Sequence, residues 1–325
     1  MAQGQPFLYT NHYYHPFNIN IMTPVETESF KLKHLPSLIV ETYKAWDAND
    51  PFRLSAVVAY YAVLSLPGLL VIIINLVGYF WGVEIVQGQL TNEISSALGS
   101  DAADSIQSMM IETQNSEKST MATILGIGTL IFGATGVFYH LQLSLNQIWK
   151  ISPENGMSFG KMLLDRARSF AFILAMGFLM LVSFLVTAII SVLKDYIQSL
   201  LPDMVVYIAF IFDFLVSIGI VTLLFALIFK FLPDAKIRWK TVWIGAFITA
   251  LLFVLGKFLL GLYFGQANPG STYGAAGTIV LILLWVSYSC LILFFGAQFT
   301  WVYAERYGLG IKSSYNTESS LDSKE

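Results

Sequence analysis

Charge is scarce in this chain. Only 12% of its 325 residues are Asp, Glu, Lys or Arg, about half the share of an ordinary soluble domain. Cysteine is nearly absent too. Cys290 stands alone, which excludes an intramolecular disulfide, and its apolar surroundings mark it as a small packing residue. The four histidines are His12, His15, His34 and His140. No HxxxH, CxxC or DxD grouping joins them or the carboxylates, so the ligand set of a metal-dependent hydrolase is missing. No GxSxG elbow or phosphate-cradling glycine loop is present either. The sequence therefore predicts no catalytic centre, no metal and no cofactor. A secretory signal is also not expected. Residues 1–30 are aromatic and polar, without a basic start followed by an apolar run. Met1 and Met22 both remain candidate starts.

Hydrophobic residues, by contrast, make up 56% of the chain, and mean hydropathy is +0.65. Apolar windows of 20 or more residues recur, each long enough to cross a hydrocarbon core of ~30 Å as a helix. The expected fold is an all-α polytopic membrane helix bundle with six transmembrane helices, over about 54–80, 121–148, 168–193, 204–232, 241–264 and 273–303. Residues 1–30 form an N-terminal tail, 51–308 the transmembrane domain, and 309–325 a polar tail expected to be disordered. Within 31–50, Leu35, Leu38, Ile39, Tyr43 and Trp46 recur at helical spacing among charged residues. That pattern predicts an amphipathic cytoplasmic helix, lying on the bilayer surface or packed against the bundle. Asp50 and Pro51 read as the N-cap and first helical position of span one.

Basic residues are strongly asymmetric. Fifteen of the 18 flank the same ends of the spans, leaving Lys118 and Lys194 on the other side and Lys257 within span five. The positive-inside rule then places both termini in the cytoplasm of a bacterial plasma (inner) membrane. The segment 84–118 falls outside the cell, where Leu90, Ile94, Ala97, Leu98, Ile106 and Met110 form an apolar stripe expected to build short capping helices.

Polar groups inside the spans are the candidate site residues. Lys257 lies about seven residues, or ~10 Å, below the outer boundary. It either snorkels to the headgroups or pairs with Asp213, which lies at similar depth in span four. Pro67, in "SLPGLL", removes a backbone donor near the middle of span one and predicts a kink. Glycines 126, 128, 133 and 136 in span two, with Gly261 and Gly265 in span five, favour close helix packing within the bundle or between two copies. At the end of span two, Gln142 and Asn146 are one turn apart, and His140 and Ser144 form a second polar pair. No inverted repeat is evident.

Four stretches carry a family resemblance: "AYYAVLSLPGLL", "GATGVFYHLQLSLNQIW", "FKFLPDAKIRWKTVWIGAFITALLFVLGKFLLGLY" and "STYGAAGTIVLILLWVSYSCLILFFGAQFTWVYAERYG". In this order and spacing they resemble the YihY/BrkB family of six-helix inner-membrane proteins, once labelled "ribonuclease BN". The resemblance implies a plasma-membrane protein with a transport or envelope-related role. It departs at Gln298, where the family usually has Gly-Ala-Glu and this chain has Gly-Ala-Gln. A family role needing that carboxylate does not transfer. Membrane lipids and an anionic solute or lipid are the expected partners, together with a second copy through the glycine faces, and nucleic acid is not expected. The functional expectation is a transporter or lipid-handling protein, with a membrane scaffold or envelope-assembly partner as the alternative.

Overall fold

The structure, a computed structural model, describes residues 31–72, 82–98, 103–104, 106–108, 110–111, 120–151, 204–267, 277–307 and 310–313. Among these, seven α-helices dominate: α1 Leu35–Asp47, α2 Pro51–Ile72, α3 Val83–Leu98, α4 Thr120–Ile148, α5 Met204–Phe231, α6 Trp239–Ala267 and α7 Gly277–Arg306. Phe214–Phe231, Trp239–Tyr263 and Gly277–Arg306 are long and apolar enough to cross a membrane by length and composition. The expected spans one, two, four, five and six coincide with α2, α4, α5, α6 and α7. The expected span at 168–193 lies outside the described residues.

α7 is the central element. It packs on α2 and α6 most extensively, and also on α1, α4 and α3. The main core gathers Phe229 of α5, Val242 and Ala246 of α6, Phe294 and Ala297 of α7, and Trp149 just after α4. A second cluster sits at the other end of the bundle, where Ile106 and Met110 pack on Leu281 and Ile282 with Leu90 and Ile94 of α3 alongside. The stripe read between spans one and two therefore covers the start of α7. Burial of those apolar faces, at roughly 25 cal/mol per Å², holds the cap in place.

Small residues fix the approach of neighbouring helices. Gly136 of α4 lies under the Tyr61 ring, and Gly133 lies against Ser65 of α2. These glycines are used within the chain, whereas Gly128 and Gly261 face open space. Between α6 and α7 the packing is reciprocal. A Cβ on Gly245 would overlap the Thr300 hydroxyl, and one on Gly296 would overlap the Thr249 hydroxyl. Each threonine turns that hydroxyl back to its own helix, Thr249 to the Gly245 carbonyl and Thr300 to the Gly296 carbonyl, both at 2.7 Å. "GAFIT" and "GAQFT" thus face each other antiparallel.

α1 does pack on the bundle. Leu38, Phe299, Val302, Tyr303 and Tyr307 form its cluster with α7, and Arg306 donates to Ser37 and Glu41 at 2.8 and 3.1 Å. Its other face leaves Ile39, Val40 and Tyr43 exposed. Asp50 and Pro51 do open α2, with the Leu54 N–H on the Asp50 carbonyl. The Asp50 carboxylate itself takes Arg53 Nε at 2.9 Å rather than capping. α2 continues past Pro67 to Ile72.

One boundary needs correction. The tail expected to be disordered from 309 begins with structure: Lys312–Ser313 pair antiparallel with Ala235–Lys236 as a two-residue ladder. The α5–α6 connection has unmet backbone groups at its edge, and the incoming chain satisfies them.

Candidate functional site

Two polar regions and one cavity emerge, at different levels of the bundle. Lys257 occupies α6 one turn beyond Phe253 and is exposed. It has no ion-pair partner among the described residues. The exposed face of α6 runs through Trp243, Phe247, Leu251, Leu255 and Leu262, a stripe of the kind that meets lipid. Lys257 stands to one side of it, on the helix face shared with Phe253. Phe253 packs edge-on to Phe225 of α5 at 5.6 Å between ring centroids. Nearer the basic end Trp239 of α6 meets Phe231 of α5 at 6.1 Å. Asp213, the other residue of the expected pair, lies on α5. Its side chain lies outside the described residues.

Next to Phe253 lies a cavity of about 180 Å³, bounded by Leu141 of α4, Phe225 of α5, Phe253 of α6 and Trp285, Ser289 and Cys290 of α7. Its walls are almost wholly apolar. Phe253 and Trp285 approach edge-on at 6.3 Å in its wall. The Ser289 hydroxyl is buried and has no hydrogen-bond partner.

The second polar region lies at the basic end, where α4 stops. Asn146 Nδ2 donates to Asp234 Oδ2 at 2.9 Å, and Gln142 Nε2 donates to the same oxygen at 3.2 Å. The Asp234 N–H returns a bond to Asn146 Oδ1 at 2.9 Å. α4 thereby holds the α5–α6 connection by three bonds, one oxygen collecting two of them. The paired spacing of Gln142 and Asn146 signals a shared partner, while Asp234, 88 residues from Asn146, escapes sequence reasoning. His140 does not join this group; its ring stacks on Tyr61 of α2 at 4.8 Å.

Gln298 is 1% exposed. Its Oε1 accepts from Asn49 Nδ2 at 3.0 Å, and that nitrogen also donates to the Ala45 carbonyl at 2.9 Å. One residue earlier, the Ala297 carbonyl accepts the Trp149 indole N–H at 2.9 Å. A neutral amide oxygen thus does the accepting here, with no charge to bury. Lys150 caps this corner with its ammonium 4.4 Å from the centre of the Trp301 ring. The structure thus places Gln142 and Asn146 together, Gln298 nearby at the same end, and Lys257 about ten residues, ~15 Å, further along the bundle by the α6–α7 register. Pro67 lies within α2, and its side chain is outside the described set. No group of three metal-binding side chains occurs among the described residues.

Comparison with known proteins finds membrane proteins. A UPF0761 membrane protein of Haemophilus influenzae strain 86-028NP is 25% identical over 79% of this chain and 91% of its own length. One from Psychromonas ingrahamii is 26% identical over 74% of this chain and 79% of its own. A third, from Verminephrobacter eiseniae, is 27% identical over 66% of this chain, which spans only half of that relative. No solved structure matches. The family described as Virulence factor BrkB matches residues 42–320, taking in both polar regions, the cavity and all seven described helices but the start of α1. The chain belongs to that family of membrane proteins.

Proposed function

We propose that this protein handles an anionic lipid or lipid-like solute in the bilayer, with Lys257 receiving the anionic group. The observation that carries this reading is an exposed ammonium, unpaired among the described residues, deep along an otherwise apolar helix. From Trp239 to Lys257 is eighteen residues, ~27 Å of helix, close to the full hydrocarbon thickness of ~30 Å. With the basic end in the cytoplasm of the inner membrane, as the charge bias supports, Lys257 reaches the outer leaflet's headgroups. There a lysine side chain snorkels along apolar surface to keep its ammonium in the polar layer, where phosphate or carboxylate headgroups supply a counter-charge. The apolar core between α5, α6 and α7 favours lipid handling over passage of a hydrated solute through the bundle centre.

Native mass spectrometry of the gently purified protein tests this, comparing wild type with Lys257→Met. A defined anionic lipid retained by wild type and lost from the folded variant is the expected result. An identical lipid background in both would remove Lys257 from any ligand role and favour a membrane scaffold.

A further inference from the structure

We infer that the basic end of α6 binds the headgroup of an acidic phospholipid, with the lipid's chains laid along the exposed stripe of that helix. The inference does not depend on Lys257, which stands eighteen residues from Trp239 and to one side of the stripe. Its first support is a continuous apolar track. Trp239, Trp243, Phe247, Leu251 and Leu255 follow one another at four-residue spacing, and each is 43–55% exposed. Residues so spaced are neighbours on the helix surface, in a row gently inclined to the axis. The track covers sixteen residues, or ~24 Å of helix.

The second support is what stands at the start of that track. Trp239 lies edge-on to Phe231 at 6.1 Å and 6.5 Å from Trp243, and Phe231 is 61% exposed. Tryptophan favours the level of the headgroups, where its apolar body and its N–H both find partners. Cations crowd the same corner. The Ile237 carbonyl holds Lys230 at 2.6 Å, with the ammonium 5.5 Å from the centre of the Trp239 ring. Arg238 and Lys240 flank Trp239 in the chain and are exposed. Across the short ladder Lys236 stands opposite Lys312, a pairing that like charges disfavour. The carboxylate nearest in the chain, Asp234, turns its Oδ2 to Gln142 and Asn146 of α4. With Glu305 of α7 counted as well, the corner keeps an excess of positive charge.

Charge complementarity and the track together select the occupant. An acidic phospholipid presents an anionic group to the cations, its glycerol level to the tryptophans and its chains to Phe247 and Leu251. A zwitterionic lipid fills the track but brings no net charge. Nucleic acid or an acidic peptide brings charge without chains. Each lysine or arginine beside an anionic bilayer surface strengthens attachment severalfold, so several together give the acidic lipid a clear advantage.

The test places the full-length protein in vesicles of one fixed mixture of phosphatidylglycerol and phosphatidylcholine. Bromine is carried near the glycerol end of the chains, on one lipid or on the other. Bromine quenches tryptophan on contact, and the emission lost in Trp239→Phe with Trp243→Phe isolates the two rings at this corner. Brominated phosphatidylglycerol is expected to quench that share more strongly, by an amount that corresponds to about a tenfold preference for the acidic lipid. Arg238→Gln with Lys240→Gln, both at exposed positions, is expected to abolish most of the preference, and Lys257→Met to leave it unchanged. Equal quenching by the two brominated lipids in wild type would overturn the inference. So would a preference that survives the Arg238 and Lys240 changes, or one that is lost in Lys257→Met.

Discussion

Asp234 illustrates what single residues contribute here. One carboxylate oxygen takes two amide donors, and the same residue's N–H binds the Asn146 side chain in return. Replacing it with alanine strands the buried Asn146 amide, a loss of about 1–3 kcal/mol. Asp234→Asn keeps an acceptor and is expected to lose less, with thermal aggregation midpoints in detergent ranking wild type, then Asn, then Ala. Gln298 makes a parallel case. Gln298→Leu keeps the volume and forfeits the bond to Asn49, at about 1 kcal/mol. Gln298→Ala also leaves a void and is expected to cost about 2–4 kcal/mol. A smaller loss for alanine than for leucine would show that packing at this position is loose. The sequence singled out Gln142 and Asn146 because amides are conspicuous in apolar helices, and Gln298 because it departs from the Gly-Ala-Glu of the family it resembles. It did not supply Asp234 or Asn49, since each lies in a polar connection where such residues are ordinary. Lys257 was legible for the same reason as the amides, and its exposure was not, because helical periodicity alone does not say which neighbour covers which face.

At the scale of helices, hydropathy located α2, α4, α5, α6 and α7 because twenty apolar residues in a row have few other uses. The cap over α7 was legible through its apolar stripe, and Leu90, Ile94, Ile106 and Met110 all pack as that stripe requires. The α6–α7 contact was less legible. Glycine in a helix reads as a dimerisation face or an internal contact with equal ease, and only the threonine seated against each one decides. Gly245→Ala forces a methyl group into the Thr300 side chain and is expected to destabilise by about 1–3 kcal/mol. Adding Thr300→Ala removes the hydroxyl and methyl in its way, leaving only a tight approach of two Cβ atoms, and should restore part of the loss. Strictly additive losses in that double variant would disprove the contact. The paired strands at Ala235–Lys236 and Lys312–Ser313 were hidden because two-residue ladders have no periodicity to detect.

The whole molecule has two chemically distinct ends. Lys150, Lys230, Lys236, Arg238 and Arg306 lie at one, with Lys230 bonded to the Ile237 carbonyl and set over Trp239. Tyr263, Glu84 and the cap lie at the other. Accessibility labelling in a Cys290→Ser background tests which end faces the cytoplasm. A cysteine at Lys236 is expected to react with a membrane-impermeant maleimide only after permeabilisation, and one at Tyr263 from outside intact cells. The reverse pattern would invert the topology and move Lys257 to the inner leaflet. The reciprocal seating of Gly245 on Thr300 and Thr249 on Gly296 has a mechanical corollary. Sliding α6 by one turn along α7 would set Thr249 against Thr300 in one direction and against Ile292 in the other, so each threonine keeps its glycine seat only in the observed register. Among the described helices, a rearrangement that keeps those seats would leave α6 and α7 together and move α5, or the packed α2–α4 pair, about them.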